Sequence, residues 1–411
     1  MALLGLAAWM SYIRVFSAEP AQDWMVFYTA ARGWLAGDPA LLIDGQQLTD
    51  AINQRFSTWL AMPLHLHPWV YPPSFLLLFL PFAVPPPTAS LVLFELAGLP
   101  AFLAAVSASF AAPRSRTIAI AALLLCPAAP FNAMTGQNAL FTSALLVGGF
   151  AVLDRRPILA GVLLGLLSFK PQLWLMAPVA LVAARRWRVL ASMAAAALAL
   201  AFASLAVFGA DAWRAWLALM TGADDRFSAW QAAGRLGGMS MFASVRLLGA
   251  PEALASLLQL AATALAGIAV YGIFRRRAAG MLAVAALCAA TMLAAPHAST
   301  SDAVLLGIAG CWYLFSLPED ARRPFDVLLA AALWACPLIN PPEVFRVAAV
   351  TPLLVIVFLG RVAARVAGEH HLGAGDDRIS SSGAGASGAT PLAREPFPAA
   401  LGRGAGPTLI I

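Results

Sequence analysis

Residues 155–188 read RRPILAGVLLGLLSFKPQLWLMAPVALVAARRWR, an apolar stretch closed at both ends by arginines and broken once, at Lys170-Pro171. Under the positive-inside rule, Arg155-Arg156 and Arg185-Arg186 mark turns on the same side of a membrane. The chain between them therefore crosses an even number of times. Two half-length helices of roughly 13 residues, each rising about 20 Å, put Lys170 close to the opposite face.

The rest of the chain agrees. Of 411 residues, 61% are hydrophobic and 11% charged, and the mean hydropathy is +0.80, more apolar surface than a water-soluble globule of this size can bury. Apolar runs of roughly 15 to 25 residues recur from Met1 to Leu359, the length that crosses a ~30 Å hydrocarbon core. They are rich in Leu and Ala and lack the alternation of barrel strands, so they read as helices. The fold class is all-α, a polytopic membrane bundle of about 10–13 membrane helices. The net charge of +6 comes from short arginine clusters between spans, with Arg275-Arg276-Arg277, Arg322-Arg323, Arg361 and Arg365 continuing the pattern. That distribution marks cytoplasmic turns and excludes a nucleic-acid patch. Cys126, Cys288, Cys311 and Cys336 match no metal or redox spacing and read as packed thiols.

Met1 opens directly into apolar sequence with no basic region or small-residue cleavage site, so residues 1–17 read as a retained first span. From about Gly368 the composition turns to Gly, Ser, Ala and Pro. The expected organisation is a membrane domain over 1–365 and a flexible cytoplasmic tail over 366–411.

Parity carries the argument from spans to a site. Counting back from Arg155-Arg156 through 139–153 puts Thr135-Gly136-Gln137-Asn138 on the face of Lys170. Counting forward puts the polar 209–240 loop and the segment Ala295 to Asp302 there as well, and the first span delivers Asp23 to it. The count fails between 70 and 131, where one segment must be re-entrant or interfacial. In 24–35 and 48–60, aromatic and aliphatic residues share one helical face, so these read as interfacial helices with Trp in the headgroup belt.

Each polar residue has a bland reading beside a chemical one. Asp23 is a helix N-cap or a carboxylate poised at the lipid surface. Lys170 is the chain's single lysine, either a snorkelling anchor or a compact ammonium for a phosphate oxygen. His297 is a packing residue, a phosphate donor or a proton carrier. Gln137-Asn138 is an Asx-type cap or a set of neutral groups for sugar hydroxyls. Tyr71-Pro72-Pro73 reads as architecture. His65 and His67 have the spacing of a ligand pair without a third ligand nearby, so no metal is expected.

Asp23 through Asp38 with Asp44, Tyr71-Pro72-Pro73, Gly136-Gln137-Asn138, Gly161 through Lys170-Pro171, and Pro296-His297 with Asp302 resemble, in order and spacing, the bacterial polyprenol-phosphate-mannose-dependent mannosyltransferases, glycosyltransferase family 87 of the GT-C superfamily. The resemblance spans about residues 20 to 310. It implies a GT-C bundle in the bacterial inner membrane whose site opens to the extracytoplasmic face. The donor is then a polyprenyl-phosphate sugar, most often mannose, and the acceptor a lipid or glycan. Asp23 maps to the general base of an inverting displacement, and Lys170 and His297 to the donor phosphate. Tyr28, Asp38, Tyr71, Gln137, Asn138 and Asp302 map to substrate contacts. No cofactor, metal or nucleotide sugar is implied. The chain departs from the pattern in its short N-terminus and in Ser299-Thr300-Ser301, where relatives often carry an aromatic. The competing class is a secondary transporter or lipid carrier, against which stand the absence of a two-fold repeat and the gathering of polar residues on one face.

Overall fold

A computed structural model of the protein describes residues 21–221, 238–276, 280–339 and 350–382. The expected first span, the centre of the 209–240 loop and the tail beyond residue 382 lie outside the described residues. The described chain forms an all-α membrane bundle, as the composition requires. Four helices, Pro87–Ala108, Trp187–Thr221, Glu252–Arg276 and Val350–Gly368, are long and apolar enough to cross a membrane. Pro113–Leu124 and Ala128–Thr135 form a pair bent by 52°, and seven further apolar helices are shorter. The last long helix continues to Ser382, past the composition change at Gly368.

The break expected at Lys170-Pro171 is present. Pro157–Leu166 tightens into a 3-10 turn over Leu167–Phe169, breaks at Lys170 and resumes as Pro171–Trp174 and Met176–Ala183. Proline at 171 lacks an amide proton and crowds the residue before it, which forces Lys170 out of helical geometry, to φ −124 and ψ 71. The first arm lies backbone to backbone on the Trp187–Thr221 helix. A Cβ at Gly161 would fall 1.8 Å from the Ser192 Oγ, and one at Gly165 would fall 2.5 Å from the Met193 carbonyl oxygen. Small residues four apart permit that approach where lipid offers no hydrophobic drive, and they fix this segment against its neighbour.

Helix lengths bear on the failed count. Pro73–Ala83 has 11 residues and rises about 16 Å, half of a hydrocarbon core. The Tyr28 hydroxyl donates to the Pro85 carbonyl at 3.0 Å, tying the far end of this short helix back to the Gln22–Leu35 helix. The short helix therefore stays at the end of the bundle that holds Tyr71. The 22-residue Pro87–Ala108 helix crosses to the other end, where Arg114 and Arg116 join the remaining arginines.

The two expected interfacial helices are found as Gln22–Leu35 and Gly45–Arg55. The first departs from the headgroup-belt reading. Trp24 is fully buried, and its ring meets Tyr28 at 4.9 Å, Phe56 at 5.7 Å and Trp59 at 6.1 Å. On the same helix Phe27 is ringed by Trp69, Tyr71, Phe75, Phe79 and Phe94. With aromatic partners on most of its faces, this helix gains more from packing than from the membrane surface. At the arginine-rich end, the fully buried Asp326 accepts from the Tyr313 hydroxyl at 2.6 Å and from Arg361 at 2.8 Å, and also pairs with Arg365. Arg361 and Arg365 thus bind three helices together as well as marking topology.

Candidate active site

The helix break supplies the cation. Lys170 Nζ donates to Asp302 Oδ1 at 2.6 Å and to Asn138 Oδ1 at 2.9 Å, and all three residues are buried, at 3%, 2% and 0% exposure. An ammonium has three donors, so two are engaged. A buried charge is tolerated only when paired and hydrogen-bonded, and Asp302 provides both. Its carboxylate is held in turn by the Ser299 hydroxyl at 2.8 Å and the Ser299 amide at 3.3 Å, while Ser299 and Ser301 share a hydroxyl contact at 2.8 Å. The hydroxyl-rich run before Asp302 therefore orients the counter-ion of Lys170.

The neutral groups come from the turn between the Ala128–Thr135 and Ala139–Ala151 helices. Gln137 Oε1 accepts from the Tyr71 hydroxyl at 3.1 Å and from the Asn138 amide at 3.1 Å. Its amide group lies in hydrogen-bond reach of the Asp23 carboxylate, which can only accept. Gly136 makes this meeting sterically feasible. It sits at φ 66, left-handed backbone that favours glycine, and a Cβ there would fall 2.4 Å from the Trp24 Cβ. The neighbouring Ala21 amide donates to the Met134 carbonyl at 2.6 Å, clamping the start of the Gln22–Leu35 helix onto the same turn.

Asp23 is half-buried. Burial raises its pKa above the ordinary carboxylate value, against the opposing pull of His67, the Gln137 hydrogen bond and Lys170, while Asp302 adds to the rise. Burial likewise raises the Tyr71 phenol, which keeps it a donor to Gln137. The result is a carboxylate with enhanced proton affinity beside a buried ammonium, enclosed by groups that hydrogen-bond. Such a set can take a proton from a hydroxyl and offset negative charge forming nearby.

Six of the residues singled out in the sequence come together: Asp23, Tyr71, Gln137, Asn138, Lys170 and Asp302. Asp302 enters as the partner of Lys170, an assignment different from direct substrate contact. The others are placed elsewhere. Tyr28 directs its hydroxyl to Pro85 and carries the Arg55 guanidinium 5.8 Å above its ring. Asp38 is exposed, and its carboxylate accepts from the Ala40 amide at 3.2 Å, a local turn contact. His297 is exposed on the loop two residues before Ser299. His67, which the sequence offered only as half of a metal pair, donates its amide to the Thr49 hydroxyl at 2.8 Å.

The family model of glycosyltransferase family 87 matches residues 69–296, more than half of the chain. Neither a curated protein nor a solved structure matches it. The matched stretch holds Lys170 and its helix break, Tyr71 and the Gln137-Asn138 turn, all but the two acidic members of the polar cluster, and on that match the chain belongs to glycosyltransferase family 87, whose members are membrane glycosyltransferases.

Proposed function

We propose that the protein moves a sugar, most often mannose, from a polyprenyl-phosphate donor to a lipid or glycan acceptor at the extracytoplasmic face of the bacterial inner membrane. The observation that carries this reading is the meeting of Asp23, Tyr71, Gln137, Asn138 and the Lys170–Asp302 pair, drawn from separate segments, in one polar cluster. A polyprenyl-phosphate sugar already has a good leaving group. What remains is to remove the proton from the attacking hydroxyl and to stabilise the departing phosphate. Asp23 takes that proton as the new bond forms at the anomeric carbon. The electron pair of the broken C–O bond stays on the phosphate, and a single displacement inverts the centre. Lys170, through its remaining donor, and His297 offset the growing phosphate charge.

The test is a donor panel. The full chain in proteoliposomes, supplied with membrane lipid extract, is given radiolabelled polyprenyl-phosphate mannose, polyprenyl-phosphate glucose and a nucleotide mannose. Label is expected in a new lipid product from the first donor. Transfer from the nucleotide sugar alone would overturn the donor assignment. Impermeant maleimide labelling of cysteine at 297 but not at 186, in intact cells, is expected from the extracytoplasmic site; the reverse pattern would invert the topology.

A further inference from the structure

The loop that carries Asp302 is tied to its surroundings through one neutral side chain. The Met281–Ala294 helix ends just before this loop, and its last carbonyls have no partners within the helix. Gln259, buried on the membrane-crossing Glu252–Arg276 helix, donates its amide group to the Leu293 carbonyl at 3.1 Å and to the Ala294 carbonyl at 3.3 Å. The Thr263 hydroxyl, one turn further on, reaches the Ala294 carbonyl at 3.0 Å. At its other end, Gln259 Oε1 accepts from the Phe242 amide at 3.1 Å, in the first turn of the Met241–Leu247 helix, where amides lack intrahelical acceptors. Ser240 caps the same turn, its hydroxyl accepting from the Ala243 amide at 3.1 Å. One residue earlier, the Met239 amide donates to the Ala298 carbonyl at 2.8 Å.

The Ala298 carbonyl and the Ser299 amide belong to one peptide plane, and in a trans peptide they point in opposite directions. The oxygen is taken by Met239, and the N–H is left to donate to Asp302 Oδ2 at 3.3 Å. Turning that plane would draw Ser299 away from the carboxylate, whose other oxygen holds Lys170 Nζ at 2.6 Å. We propose that Gln259 is a positioning residue for the Lys170–Asp302 pair. It locks the end of one helix and the start of another, and these two fix the peptide that orients Asp302 and, through it, the remaining donor of the ammonium. The inference rests on Lys170 serving the donor phosphate. An amide suits the position because it donates and accepts at once, and a polar side chain that bonds across helices can join them inside a membrane. Leucine would fill the space and bond neither end.

Lys170 is the single lysine of the chain, so nitrogen-15 lysine gives one Nζ resonance from the full chain in nanodiscs, with no sugar present. Gln259→Leu is expected to move that resonance and to speed exchange of the ammonium hydrogens with water by about tenfold or more, the equilibrium worth of one lost hydrogen bond to a buried group. Tyr313→Phe is the control for general loosening. It removes a 2.6 Å bond to Asp326 at the arginine-rich end and is expected to leave both readings at the parent values. A parent-like resonance and rate in Gln259→Leu overturn the proposal, and so does an equal change in Tyr313→Phe. If Gln259→Leu does not fold, Gln259→Glu decides, since it keeps the shape and the acceptor for Phe242 while withdrawing the amide hydrogens from the 293 and 294 carbonyls. A change in the same direction is expected there, and a parent-like signal overturns the proposal. Because no sugar takes part, a negative result strikes Gln259 alone, whereas failure of the donor panel strikes the transfer reading.

Discussion

Breaking the Lys170–Asp302 pair from one side should injure the protein more than removing it whole. The pair closes at 2.6 Å with side chains 4% and 1% exposed, so neither charge has water to fall back on. Removing one partner of such a pair costs about 3–5 kcal/mol, mostly as the penalty of the charge left behind. Lys170→Met leaves Asp302 with the Ser299 hydroxyl and amide and no cation. Asp302→Asn leaves the ammonium with neutral acceptors and no counter-ion. The double variant leaves no charge, and its chief loss is the Asn138 oxygen without a donor, about 1–3 kcal/mol. The double variant should therefore be more stable than either single one, with a coupling above about 3 kcal/mol. Reversible unfolding in bicelles, driven by a denaturing detergent, reads all four corners of the cycle. Losses that simply add would mean the two groups are not a pair, and the assignment of Asp302 as counter-ion would fall.

Three further outcomes follow from the same geometry. Because burial raises the Asp23 pKa and the base must be ionised, kcat/KM should fall on the acid side at a pH above the ordinary Asp value of about 3.9. An acid limb at or below that value would contradict the burial argument. Gly136→Ala forces a side chain onto Trp24 from left-handed backbone, and should cost about 1–3 kcal/mol of stability together with a drop in transfer; a neutral change on both counts would separate this turn from the site. Lys170→Ala and His297→Ala should weaken binding of polyprenyl-phosphate mannose by about ten- to a hundredfold, the worth of a charge-assisted hydrogen bond, while Asp23→Asn binds it normally. Calorimetry showing tight binding to both and a loss in Asp23→Asn would exchange their roles.

Much of this was legible because membranes leave few options. The Lys170-Pro171 step was enough to place the helix break, and parity pointed to Gln137, Asp302 and Asp23 as its companions. What parity could not supply is contact. It brought Asp302 near Lys170 without showing that a buried ammonium needs a dedicated carboxylate. Tyr28 and Asp38 entered through the family pattern, yet the Tyr28 hydroxyl meets Pro85 and the Asp38 carboxylate meets Ala40, partners that no spacing reveals. The tryptophan-rich first helix read as a surface element for a similar reason. Aromatic residues suit a headgroup belt and a packed core alike, and only the ring contacts of Trp24 and Phe27 decide between them.

The central claim, that Asp23 is the base of a sugar transfer, is tested most directly by turnover of Asp23→Asn beside the parent. Both are reconstituted as full chains in proteoliposomes with radiolabelled polyprenyl-phosphate mannose and membrane lipid extract. The substitution keeps the shape and removes the proton acceptor, whose contribution is typically about 10² to 10⁴-fold. The expected result is labelled lipid from the parent and a loss of that order in the variant, with folding and donor binding retained. Transfer by Asp23→Asn at the parent's rate would contradict the claim.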